Sequence, residues 1–185
     1  NIDGGIMSDL KVNEIKTDTI KNQAGTTALS IDTTGRPSFA KAKTPSFHVY
    51  KSDNLTVADS VETQVPFNAN YFLHDWTVNG SGDLTCGTGA GGIYMIHCSG
   101  RINTSADGNV SLKLKLNGTV DATHGRGSQY CYSEYYQGMD ITTMLELSDG
   151  DVLRMYLTQV TGSSRTAGNN DCGFHLKMMA YRVSA

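Results

Sequence analysis

The residues of this 185-residue chain that could do chemistry are five histidines, four cysteines and a scatter of carboxylates. His97 and His175 fall in strand-like runs, where a packed or surface histidine is the ordinary outcome. His74 and Asp75 are adjacent, but neighbours on a strand point to opposite faces, so the pair is no ready-made dyad. Two glycine-rich stretches, His124-Gly125-Arg126-Gly127-Ser128 and Gly87-Thr88-Gly89-Ala90-Gly91-Gly92, have the composition of a phosphate cradle. Such a cradle opens a helix, and no helix is signalled after either; the second precedes a strand. Asp140, Glu146, Asp149 and Asp151 could be read as a glycosidase pair or a cation site. Asp149-Gly150-Asp151 is better accounted for by turn geometry, which Asp and Gly favour. Cys86, Cys98, Cys131 and Cys172 form no close ligand pair of the kind that zinc sites use. Reduced thiols are the expectation for them, with a disulfide left open. No catalytic motif is present, so a non-enzymatic chain without cofactor or metal is expected.

Recognition chemistry has better candidates. Tyr130, Tyr132, Tyr135 and Tyr136 crowd four of the nine tyrosines into seven residues. Tyrosine offers a flat apolar face with a polar tip, suited to stacking on sugars or to filling an interface between subunits. Tyr130 and Tyr132 alternate and are expected to share a face, with Tyr136 joining them. The same residues could equally cap a sandwich or pack between subunits. Gly162 to Asn170, with Arg165 and Asn169, has the composition of an exposed loop tip.

These residues must be carried by strands. The 20 glycines, with many Thr, Ser, Asn and Asp, imply frequent turns, and no run of 18 apolar residues is present to span a bilayer. A net charge of −3 gives no electrostatic reason to expect nucleic-acid binding. Asn1 to Ile6 lack the order of a signal peptide, and Met7-Ser8-Asp9 reads as a natural start. Residues 7–44 are polar and Thr-rich, with short alternating pieces around Leu10, Val12, Ile15, Ile20, Leu29 and Ile31. That is too little apolar surface to order so many residues in a lone chain. Either the segment is disordered or it shares a core with copies of itself.

From residue 45 to 185 strand-like runs recur at short intervals. Val110 to Leu116 alternates without a break and ends in the Asn117-Gly118 turn pair. Met144 to Leu147, Ser148 to Asp151 and Val152 to Leu157 read as strand, tight turn, strand. Phe174, Leu176, Met178 and Ala180 occupy one face of a last strand. Ile93-Tyr94-Met95-Ile96 is apolar on both faces, which calls for a second covering surface: a symmetric subunit interface, or a loop over a central strand. About eight such strands imply an all-β sandwich or jelly roll.

Val65-Pro66-Phe67-Asn68, Trp76 to Leu84, Gly91-Gly92-Ile93-Tyr94-Met95, Leu112 to Gly118, Leu145 to Val152 and Gly173 to Leu176 together resemble the C1q/TNF-like family over about residues 45–185. The resemblance implies an antiparallel ten-strand jelly roll that closes as a tight homotrimer, with Tyr94 and its strand near the threefold axis. Ile93, Tyr94, Met95, Ile96, Phe174, Leu176 and Met178 are then the expected interface. No ligand-specific loop pattern of that family and no Asp/Asn cluster for its calcium sites is found. The stretch Leu10 to Ile20, followed by Ala24 to Asp32 and Gly35, resembles stems of phage tail-fibre proteins and implies an intertwined trimeric β-stem.

The expected protein is thus a trimeric bacteriophage virion fibre, assembled in the host cytoplasm. Leu10, Val12, Ile15 and Ile20 would attach it to other virion proteins. The head would meet a host-surface glycan or outer-membrane protein through Tyr130, Tyr132, Tyr136, Arg165 and Asn169. A capsid decoration or knob and a secreted C1q-like ligand are the alternatives.

Overall fold

The computed structural model describes residues 19–21, 27–31, 37–39, 44–104, 106–118, 126–131, 135–168 and 175–184. Leu10, Val12, Ile15, Tyr132, Asn169 and Phe174 lie outside them. The chain divides into two compact units, Asn1–Lys43 and Thr44–Ala185.

In the first unit, β1 (Thr19–Lys21), β2 (Thr27–Ile31) and β3 (Pro37–Phe39) form an antiparallel sheet. Its register sets Ile20, Leu29 and Phe39 in one cross-strand row.

The second unit is an all-β sandwich. One sheet runs in the order β5 (Leu55–Val57), β15 (Arg165–Ala167), β10 (Gly92–Thr104), β16 (Leu176–Ser184), β4 (Ser46–Lys51), β7 (Ala69–His74), with β13 (Tyr135–Leu147) along the other side of β10. The facing sheet runs β12 (Arg126–Cys131), β11 (Gly108–Leu116), β14 (Val152–Val160), β9 (Leu84–Cys86), β8 (Trp76–Val78), and β6 (Thr63–Gln64) pairs with β14. All the ladders are antiparallel. Among the described residues no helix is long and apolar enough to cross a membrane.

Side-chain alternation fixes the core. Val110, Leu112 and Leu114 of β11 and Leu153, Met155 and Leu157 of β14 point inward, meeting Phe47, Val49, Ile96, Cys98, Leu176 and Met178 from the other sheet. Trp76 anchors one end, edge-on to Phe47 at 4.8 Å and to Tyr94 at 5.4 Å. Its indole N–H donates to the Tyr94 hydroxyl at 3.3 Å, and that hydroxyl donates to the Ala90 carbonyl, so both buried polar groups are satisfied.

The Asn117-Gly118 turn forms with positive φ at both residues, and the Asn117 side chain ties it to Asp151 and Val152. The turn of Ser148 to Asp151 also forms, closed by Ser148 N–H donating to Asp151 at 2.7 Å. It does not make a hairpin: β13 lies in one sheet and β14 in the other, so the turn crosses the sandwich.

Candidate functional site

Three groups of residues bear on function: two that the sequence singles out, and one whose chemistry it attributes to turns. The first is the two-sided apolar strand β10. Tyr94 and Ile96 are wholly buried inside the single sandwich, as are Leu176 and Met178 of β16. These four of the expected interface residues have no surface exposed on the single chain. Even-numbered residues of β10 and β16 point into the chain's own core, and the odd-numbered ones point out. Tyr94 in particular spends its hydroxyl on Ala90 and Trp76 and has nothing left to offer a neighbour.

The outward row keeps Ile93 and Met95 and adds residues that the sequence reading passed over. Met95 stands opposite both Met144 of β13 and Tyr181 of β16. The Tyr181 hydroxyl donates to the Met95 sulfur at 3.0 Å. Ile93 is 38% exposed, Met144 53%, Tyr181 50% and Val183 45%. Four large apolar side chains left this open on one sheet face form a patch that calls for a cover. A row further along, His48, Met179, His97 and Thr142 stand side by side, and His97 Nδ1 lies 3.0 Å from the Thr142 hydroxyl. Burial lowers the pKa of His48, and Lys177 lowers it further.

The second group is the tyrosines and the loop after β14. Tyr130 (on β12, opposite Asn109) and Tyr136 (on β13, opposite Asn103) are both exposed at the end of the sandwich where β10 passes into β11. They belong to different sheets, and Tyr132, expected to share a face with Tyr130, lies outside the described residues. Arg101 places its guanidinium 3.8 Å from the centre of the Tyr136 ring. Arg165 is not a projecting tip: its Nε donates to the Thr161 hydroxyl at 2.7 Å and its Nη2 to the Thr161 carbonyl at 3.2 Å. It closes its own loop. Asp59 accepts from the Thr161 and Gly162 amides, and the buried Gln159 accepts from Thr161 and donates to Val57 and Ser163. The Asp59 carboxyl is accordingly held below the usual range, chiefly by the Gly162 and Thr161 amides.

The third group is the glycine loop and the carboxylates. The Gly89 and Gly91 amides donate to the Asp149 carboxylate at 2.7 and 2.8 Å. The loop is an anion nest whose anion is supplied by the chain itself, 58 residues away from Gly91. Those amides lower the Asp149 pKa. Asp75 sits in a left-handed turn at φ 59°, while His74 stacks on Phe72 and reaches Ser46, so the two form no dyad. Among the described residues no group of three metal-ligating side chains converges. Cys86 and Cys98 are free and buried, and burial pushes the Cys98 thiol up to about 12.

No known family and no curated protein matches the sequence. Solved structures do match. The Eiger TNF of S. frugiperda has 16% identity and a TM-score of 0.51, covering 76% of this chain and 92% of its own. Murine APRIL has 13% identity and a TM-score of 0.51, covering 74% and 98%. The globular domain of zebrafish complement 1qA has 15% identity and a TM-score of 0.47, covering 75% and 97%. On the first two of these matches and its own two antiparallel sheets, the larger unit has the TNF-like jelly-roll fold.

Proposed function

We propose that this chain is the subunit of a homotrimeric bacteriophage virion fibre, whose stem docks on the particle and whose head binds a receptor on the host surface. The observation that carries the trimer is the outward apolar patch of Ile93, Met95, Met144, Tyr181 and Val183. The patch lies on the broad face of a sheet, where only another folded surface can cover it, and three copies about one axis close that surface. The register of the three stem strands, which aligns Ile20, Leu29 and Phe39, supports the same reading.

Light scattering of the native protein is expected to give about 60 kDa, three chains of 19.9 kDa each. A 20 kDa species overturns the reading. Gold-labelled antibodies against the head then separate the roles. Label on the tail supports the receptor-binding fibre, label spread over the capsid supports a decoration protein, and no label on virions rejects both. The last result would favour a secreted ligand.

A further inference from the structure

The outward apolar patch shares its ground with histidines. Cross-strand pairing sets His74, Ser46, Tyr181, Met95 and Met144 in one row across β7, β4, β16, β10 and β13. The next row on the same strands reads Phe72, His48, Met179, His97 and Thr142. Neither row holds a carboxylate, a lysine or an arginine. Three of these side chains are imidazoles, which change charge between about pH 5 and 8. Acid therefore turns an uncharged surface into one with up to three positive charges per chain.

The fixed charges nearest to them stand in the adjoining rows. Tyr50, Lys177, Ser99 and Asp140 form the row beyond His48 and His97. Glu146 stands opposite Ile93, in the row beyond Met95. Both carboxylates are on β13, away from β4 and β7. Asp140 is diagonal to His97, whereas the diagonal neighbour of His48 on β16 is the cation Lys177. Asp75 follows His74 in its left-handed turn.

His48 is the most confined of the three. A bulge in β7 brings both Tyr71 and Phe72 against its ring, with centroids 4.6 and 6.1 Å away. Its Nε2 is buried without a hydrogen-bond partner among the described residues. Burial and Lys177 both lower its pKa already in the single head. A neighbour seated on the apolar row covers the histidine row too, because the two rows are only about 7 Å apart along the strands. Covering an unpaired imidazolium is costly, while covering a neutral ring among Tyr71, Phe72 and Met179 is not.

We propose that this face is an acid-labile contact with a second copy of the chain, holding while His48, His74 and His97 are neutral and parting when they are protonated. The inference rests on the trimer reading and gives that contact its regulation. Assembly then releases protons, and association weakens as pH falls below the ordinary histidine value of about 6.5.

The test follows a dilution series of the full chain by light scattering, from about pH 7.5 to about pH 5 at constant ionic strength. The affinity of a subunit for its neighbours is expected to fall more than about tenfold, the effect of a one-unit difference between covered and free imidazole. His48→Gln should remove the largest share of that fall, and replacing all three histidines by Gln nearly all of it. Near-ultraviolet circular dichroism should keep its native signal at pH 5. Affinity that is flat or rises toward pH 5, a fall unchanged in the triple variant, or a native signal lost in step with the trimer overturns the proposal. Should the variants not fold, proton release by the parent on assembly at about pH 6 decides: release supports the proposal, and none overturns it. Chains already monomeric at about pH 7.5 overturn the trimer reading itself. Trimers indifferent to acid leave that reading standing and remove only the switch.

Discussion

The two halves of the outward sheet face share strands, ladders and twist, yet they present opposite surfaces. Toward Ser46 the cross-strand rows read Ile93, Met95, Met144, Tyr181 and Val183; toward Arg101 they read Ser99, Gly138, Lys177 and His175. The backbone makes no distinction between them. The jelly roll supplies a flat, hydrogen-bonded plate, and the choice of outward side chain decides which part is to be covered and which part can recognise something. The row of His48, Met179, His97 and Thr142 divides an apolar half from a polar one.

The change that breaks this comparison most directly is Met144→Glu. It sets a carboxylate in the centre of the apolar half, three times over in a trimer. Light scattering should then show monomers at concentrations where the parent is trimeric, an effect of more than about a hundredfold on association, because unpaired like charges at an interface cost several kcal/mol. Trp76→Ala comes next and tests the shared support instead. Removing the ring that packs on Phe47 and Tyr94 should lower the stability of the head by about 3–5 kcal/mol in a denaturant titration, with assembly and binding lost together.

Acid sharpens the comparison at its border. The pKa of His48 is lowered in the folded head, by burial first and then by Lys177. The unfolded chain therefore takes up the proton more readily. Stability from this group is complete above the ordinary histidine value of about 6.5 and falls as pH drops below it. Thermal midpoints should decline from pH 7 to pH 5, and His48→Gln should flatten that decline. The smallest effect belongs to the far sheet. Arg154, with Gln64 and Asn79, holds the carboxyl of Asp83 at about 2. Its contribution is present above the usual aspartate value and is lost as pH falls from about 4 toward 2. Because the pair is partly exposed, Asp83→Asn should remove only a shallow slope in that window, with the His48 slope untouched.

Much of the fold was legible in the residues. β11 declares itself by Val110, Leu112 and Leu114, and its Asn117-Gly118 end adopts the backbone that the pair favours. The order of strands also carries the jelly-roll reading, which the matches to solved TNF structures support. What could not be read was facing. In Ile93-Tyr94-Met95-Ile96 both faces are apolar, so periodicity has no sign, and only the packing of Tyr94 against Trp76 and Ala90 shows which side is inward. The acceptor for the glycine loop was hidden for another reason: Asp149 looked like a turn residue, and nothing local relates it to Gly89. Arg165 and Tyr136 were picked out for their composition, whereas His48, His74 and His97 come from three separate strands and gather only through register.

β4 begins at Ser46, two residues into the unit that starts at Thr44, and it runs inside its sheet with β16 on one side and β7 on the other. Any pull transmitted along the polypeptide from the stem therefore enters the head through a strand gripped by two ladders, from Ser46 to Lys51 against β16 and from Ser46 to Tyr50 against β7. A force along that strand loads the crossing hydrogen bonds in shear, all together, instead of peeling them one at a time from an edge. A tether joined there resists a sudden load better than one joined to an edge strand.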